Sequence, residues 1–211
     1  MLIDHWPLVG LRLTTPDLEL RWPTNEELAA LADIAAEGIH DPAFMPFLFP
    51  WTDTTPAERA RSVILHFWRT AGNWKPDDWA IPFVVFQGDE PIGIQAINAA
   101  QFAITREVST GSWLGLRFHG QGFGTQMRAA VLTLAFEGLG AETACSGAMM
   151  GNAQSLGVSR KIGYHEDGLG RAVVSGKLRI EQRLRIDAKD FQSPCRVLVK
   201  GLDRCLKDFG L

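Results

Sequence analysis

Cysteine is scarce in this sequence. Cys145, Cys195 and Cys205 are odd in number, far apart, and form no CxxC pair. A disulfide framework and a cysteine-based zinc site are therefore excluded, and no metal is expected. Basic residues are not in excess: Lys+Arg number 21 against 24 Asp+Glu, for a net charge of −3. A general nucleic-acid binder usually carries the opposite balance or a basic stripe. No apolar run approaches the roughly 18 residues of a membrane span. The first residues, Met1-Leu2-Ile3-Asp4-His5-Trp6, lack the basic region and apolar core of a signal peptide. The expectation is a cytoplasmic protein that engages neither nucleic acid nor membrane. Repeats and low-complexity tracts are also missing. What is present is ordinary for a globular chain: 211 residues, 46% of them apolar and 21% charged. No linker divides the chain, so residues 1–211 are expected to form a single domain.

Periodicity suggests α/β organisation. A strand is expected at 18–22, then a helix from Thr24, as N-cap, to Glu37. The prolines of Asp41–Pro50 forbid a regular helix. A second helix runs from Pro56 to about Thr70. Residues 79–86 and 91–97 are β-rich and separated by Gln87-Gly88-Asp89-Glu90, a hairpin signal. A third strand is placed at 107–117. After a glycine-rich turn comes a helix in which Met127, Ala130, Val131, Leu134 and Ala135 keep helical spacing while Leu132 and Phe136 add a second apolar face, so it should be well buried. A strand near 142–149, a helix at 153–162 and strands near 170–175 and 178–186 complete a mostly antiparallel α/β sheet.

The segment Leu114–Gln126 carries the chemistry. A strand leads through Gly120, Gly122 and Gly124 directly into a helix. Glycine permits positive φ and close approach of a ligand to the backbone. The first helical turn supplies unpaired N–H groups and a partial positive charge, a combination suited to phosphate or pyrophosphate. Two local competitors fail: a GxGxxG fingerprint needs glycine where Thr125 stands, and a Walker loop needs a lysine that is missing here. A purely structural glycine-rich turn stays open on spacing alone.

The strand, the His119–Thr125 turn, the buried helix and Asn152-Ala-Gln-Ser-Leu-Gly-Val-Ser-Arg-Lys-Ile-Gly-Tyr164 together resemble the acyl-CoA core of GNAT N-acyltransferases, in particular the RimJ/RimL-like branch, which acts on protein N-termini and small amines. The resemblance covers roughly residues 80–187, with 188–211 as a C-terminal extension. It implies the GNAT fold, a mixed, mostly antiparallel sheet flanked by helices with a V-shaped strand splay. It implies acyl-CoA as co-substrate and an amine acceptor, with acetyl as the default group and succinyl as the alternative. Carried over by position, the amides of His119, Gly120, Gln121, Gly122, Gly124 and Thr125 hold the pyrophosphate. Main-chain groups of Leu114 and Leu116 pair with the pantetheine like an added strand. Asn152 bonds the pantetheine, and Ser155 lies near the thioester sulfur.

Two departures from the family pattern matter. His119 stands where Gln or Arg is usual, and Ser159 stands where many relatives carry a tyrosine acid. The sole tyrosine, Tyr164, falls where a packing aromatic belongs, so Ser155, or a water it holds, becomes the candidate acid. Ser109 replaces a glutamate common in the branch, which leaves the general base unassigned. Trp51, Trp79 and Gln95 are candidate acceptor-side residues. The aromatic stretch 41–51 reads equally as core or as a loop over the acceptor pocket. His5, His40, His66 and His165 read as structural or exposed, and Asn152 reads also as a plain N-cap. The tail beyond Asp187 packs on the core or on a partner subunit, and a homodimer is compatible with the resemblance. An acyl-CoA-binding sensor without turnover remains the alternative function, and a purely structural module would bind no CoA.

Overall fold

A computed structural model describes residues 1–211. After a short helix, α1 (Leu2–His5), the strands β1 (Arg12–Thr14) and β2 (Glu19–Arg21) form a hairpin. Helix α2 (Asn25–Glu37) begins at Thr24, whose hydroxyl accepts the Glu27 N–H at 3.2 Å while the Glu27 carboxylate accepts the Thr24 N–H at 2.7 Å. This reciprocal box satisfies donors that a helix start otherwise leaves open. Helix α3 (Pro56–Gly72) starts the same way, with Thr55, Glu58 and Pro56 in its first turn. Between them the proline-rich stretch forms turns and no helix.

The long hairpin of β3 (Asp78–Gln87) and β4 (Glu90–Ala100) follows, then a single turn, α4 (Phe102–Thr105). Strand β5 (Glu107–Leu114) leads to α5 (Phe123–Thr133), which continues as a π-turn over Leu134–Gly138. Then come β6 (Thr143–Met149), α6 (Ala153–Ile162), the hairpin β7 (His165–Val174) and β8 (Lys177–Asp187), and a terminal β9 (Leu198–Lys200).

All nine strands join one sheet in the order β7-β8-β6-β5-β4-β3-β2-β1-β9, and only β5–β6 is parallel. The sheet is sandwiched between two helical layers, which explains why β3 reads as an unbroken apolar run. Phe83 and Val85 face the large core shared with α5, whereas Val84 and Phe86 face the smaller cluster under α2 and α3. Alternate side chains of a strand point to opposite faces, and here both faces are dry. Helix α5 is buried nearly all round, as its two apolar faces require.

The structure departs from the expected elements in three places. Strand β5 stops at Leu114, because Gly115 enters a 3-10 turn over Leu116–Phe118. Strand β7 begins at His165. Strands β1 and β9 were not anticipated, since three residues are too few to show a period of two. The tail packs on the core: Val199 pairs with Leu13, and Cys205 and Phe209 are fully buried.

Candidate functional site

Strands β5 and β6 pair only from Glu107–Ser109 to Thr143–Cys145 and then part. Beyond that point β5 stays with β4 as far as Leu114, and β6 stays with β8 as far as Met149. A V-shaped gap opens between them, and it widens into a cleft of about 770 Å³. The Gly115 N–H donates back to Ile92 O on β4 at 2.9 Å. Hydrogen-bonding direction alternates along an antiparallel strand, so Ser112 and Leu114 turn their main-chain groups toward the gap.

The mouth of the cleft is the glycine turn. Gly120 (φ +77°) and Gly122 (φ +86°) are left-handed, and a Cβ on either would project into open space. Gly124 serves differently, because a Cβ there would lie 3.1 Å from Val158 Cγ2 of α6. It permits close packing of the two helices. The N–H groups of Gly120, Gln121, Gly122, Phe123 and Gly124 find no acceptor within the chain, and Gly122, the N-cap of α5, has no side chain to cap them. Consecutive free amides at the positive end of an eleven-residue helix form a cradle for an anion. Gln126 anchors that end of α5: it accepts from Thr15 Oγ1 at 2.8 Å and donates to Asp17 Oδ2 at 2.6 Å.

Across the mouth, Asn152 caps α6 by accepting the Ser155 N–H at 3.1 Å. Its amide nitrogen makes no hydrogen bond within the chain, so capping leaves that donor free at the cleft. The half-buried Ser155 hydroxyl lines the cleft and makes no hydrogen bond within the chain. Lys161, further along α6, adds a cation without an ion-pair partner.

The loop after α2 covers the other side. His40 Nδ1 lies 2.8 Å from Asp41 O, and its Nε2 lies 2.7 Å from Thr52 Oγ1. This bond pins the ends of the proline-rich stretch, so that Asp41, Phe44, Phe47 and Leu48 line the cleft. Of the two readings open for this stretch, the structure shows the loop over a pocket.

The deep end of the cleft holds two charged groups. Arg128 of α5 is buried, and its guanidinium donates to Gln95 Oε1, Ser146 Oγ and Ser112 Oγ at 3.5, 3.1 and 3.4 Å. Glu181 of β8 lies over Gly147 of β6, where a Cβ would be 2.1 Å from its Oε1. Burial raises the Glu181 pKa above the usual carboxylate value, against the opposing pull of Arg183.

Several residues singled out from the sequence lie elsewhere. Trp79 is 2% exposed in an aromatic cluster with Trp74, Phe102 and Phe209, its ring 4.8 Å from that of Phe209, and it does not reach the cleft. An acceptor-side role for it is thereby corrected. Gln95 is fully buried and serves as a bracket, donating to Ala96 O and Gly111 O while holding Arg128. Trp51 stands behind the lining residues Phe47 and Trp113, with ring centroids at 5.6 and 5.8 Å. The Leu116 backbone is already engaged, its N–H with Gly38 O and its carbonyl with His119 N–H, so only its half-exposed side chain faces the cleft. The side chain of Gln121 folds back onto Arg117 O. His119 turns inward, donating from Nε2 to Leu114 O at 3.0 Å, and leaves Nδ1 buried without a partner. Thr125 lines the mouth. Ser159 is 1% exposed and lies outside the cleft.

Sequence reasoning took His40 as structural or exposed and missed Ser112, Arg128, Ser146, Lys161 and Glu181. Only Arg128 left a signal: it is the one charge in α5, between Met127 and the apolar run Ala129–Leu132.

A splayed parallel pair, a glycine turn of free amides and a helix capped by asparagine together frame the cleft. A family model described as an acetyltransferase (GNAT) domain matches residues 17–165. The chain belongs to the GNAT acetyltransferase family. Its fold is shared with RimJ from Mycobacterium smegmatis in complex with a CoA disulfide, at 20% identity, covering 95% of each chain with a TM-score of 0.68. It is shared also with RimL, the ribosomal L7/L12 alpha-N-protein acetyltransferase in complex with coenzyme A. That match has 19% identity, covers 82% of this chain and 95% of the other, and has a TM-score of 0.66. The Salmonella typhimurium acetyltransferase that modifies the N-terminal serine of L7/L12 matches at 19% identity, over 82% and 96% of the chains, with a TM-score of 0.65. No helix of the chain is long and apolar enough to cross a membrane.

Proposed function

We propose that this chain transfers a short acyl group from a CoA thioester to a primary amine, by direct attack with both substrates bound. The observation that carries the reading is the run of free amides from Gly120 to Gly124 at the mouth of a cleft that continues between two parted strands. The amides fit a pyrophosphate, with Lys161 beside them as a further phosphate contact. The inward-facing main chain of Ser112 and the Leu114 N–H fit an extended amide-bearing arm, which would pair with them as an added strand, while the Leu114 carbonyl is held by His119. Leu116 is removed from that role, whereas Asn152 keeps it through its free amide nitrogen.

The CoA thioester supplies an activated carbonyl, and the residues of the chain supply binding, proton transfer and exclusion of water. Asp41 and Glu181 give the cleft the negative charge that draws in an ammonium. Glu181 takes one proton from it, and its raised pKa brings the base closer to neutrality than an ordinary carboxylate. The neutral amine forms the new C–N bond, an inward-facing main-chain N–H stabilises the oxyanion, and the C–S bond breaks. Ser155 hands its proton to the departing thiolate and takes in exchange the second proton that the nitrogen sheds as the amide forms. Orientation between the glycine turn and the aromatic loop contributes the larger share of the rate. Acetyl is the group for which the family is named. A protein N-terminus, as in RimL, a lysine and a small amine all present the required amine. A basic carboxylate at the deep end of the cleft favours turnover over an acyl-CoA sensor.

Thermal denaturation with CoA tests the reading. At about 100 times the dissociation constant, binding should add about 2.7 kcal/mol, which is a rise of roughly 5–11 °C for a chain of this size. No rise with CoA or acetyl-CoA would overturn it.

A further inference from the structure

Arg128 is 4% exposed and permanently charged, yet it makes no ion pair with any carboxylate of the chain. A guanidinium carries five N–H donors. Those of Arg128 meet only three neutral acceptors: the Gln95 amide oxygen and the hydroxyls of Ser112 and Ser146. Two of these contacts, at 3.4 and 3.5 Å, are at the long limit of a hydrogen bond. Burying a cation without a counter-charge is costly, and an apolar residue here would continue the pattern of α5 at no such cost. The charge sits where β5 and β6 diverge, because its serine partners come one from each strand; it lines the cleft and lies over the Tyr164 ring, 5.8 Å from its centroid, a contact that offers π-electrons but no counter-charge. Glu181, which lines the same cleft, is not within ion-pair distance of it.

From this geometry we infer that Arg128 is a specificity residue for the acyl group, and that the preferred donor is a CoA thioester whose acyl chain ends in a carboxylate. The inference rests on the acyl-CoA reading of the cleft. A terminal carboxylate would supply the missing counter-charge and engage the unfilled donors of the planar fork, an arrangement that arginine makes bidentately. Ser112 and Ser146 hold the fork in place. Gln95 restrains Nε from behind and is therefore a positioning residue. Acetyl and longer unbranched acyl groups leave the guanidinium uncompensated.

Binding can be measured without knowing the amine. Dissociation constants of CoA, acetyl-CoA, butyryl-CoA and succinyl-CoA are compared by calorimetry on the wild-type chain. Butyryl matches succinyl in chain length and lacks only the terminal carboxylate. The expected result is succinyl-CoA binding at least about tenfold tighter than butyryl-CoA, a margin that Arg128→Met abolishes while CoA itself binds as before. Arg128→Lys should retain part of the margin, because it keeps the charge and loses the fork. Equal affinity for succinyl-CoA and butyryl-CoA in the wild type overturns the proposal even if Arg128→Met fails to fold. So does an Arg128→Met chain that weakens all four ligands alike, which is the behaviour of a strut between the strands. Failure of the acyl-CoA reading is a separate outcome, in which none of the four ligands binds.

Discussion

His40 Nε2 and Thr52 Oγ1 lie 2.7 Å apart, and this one bond closes the aromatic loop over the cleft. Thr52 is 6% exposed, so the bond is shielded from competing water. A net hydrogen bond is worth about 1 kcal/mol, or about fivefold in an equilibrium constant. His40→Ala and Thr52→Val should each lower kcat/KM about fivefold, mostly through the KM for the amine. Steady-state kinetics at saturating donor would show this. A loss confined to donor affinity would instead place the loop over the CoA arm alone.

The glycines of the turn should respond differently to alanine. At Gly122 the backbone is left-handed, and a side chain there costs about 1–2 kcal/mol. Gly122→Ala should weaken CoA binding about tenfold, as measured by calorimetry, because the turn relaxes away from its anion-binding shape. Gly124→Ala presses on Val158, so it should lower Tm with a smaller effect on affinity.

Trp79→Ala tests the correction made to that residue. Emptying its place among Trp74, Phe102 and Phe209 should cost about 3–5 kcal/mol, read by denaturant unfolding. The folded protein should keep its affinities for donor and amine. Loss of amine binding at unchanged stability would restore a direct role.

Glu181 predicts a pH dependence. Its pKa is raised by burial, so the carboxylate base is lost as pH falls through a value above the ordinary carboxylate range. kcat/KM for the amine should fall on that acid limb, and Glu181→Gln should remove both the limb and most of the activity. Gly147→Ala offers a second test, because the added methyl displaces only the flexible end of Glu181. Stability should hold while activity drops.

Glu27 sets part of the acid stability. Arg21 and the Thr24 N–H hold its pKa at about 2, against an ordinary 4.5. A lowered carboxylate pKa contributes stability above the unfolded value, and that stability is lost as pH falls toward the folded one. Glu27→Gln should therefore destabilise the chain by about 1 kcal/mol at pH 7 and by much less near pH 2. Urea titrations at the two pH values measure the difference.

Much of the fold was legible along the chain. Thr24 as an N-cap and Pro56 in a first turn announced their helices, since both signals act within a few residues. The β3–β4 hairpin and buried α5 followed from local pattern. The left-handed glycine turn with its free amides was equally readable, because it depends on backbone conformation within a few residues. The strands β1 and β9 left no pattern, and Trp79 misled because an aromatic residue looks alike in a core and in a pocket.

By itself, then, the sequence determined where helices, long strands and the amide cradle would form, because caps, periodicity and left-handed glycines act over a few residues. Tertiary structure decided what the cleft contains. Arg128, Ser112 and Ser146 meet only because β5 and β6 part after Ser109 and Cys145. Glu181 reaches the cleft only because β8 pairs with β6 in a register that sets it opposite Met149, from where its side chain extends over Gly147. Those contacts join residues far apart along the chain, and their chemistry depends on burial, which exists only once the sheet has assembled.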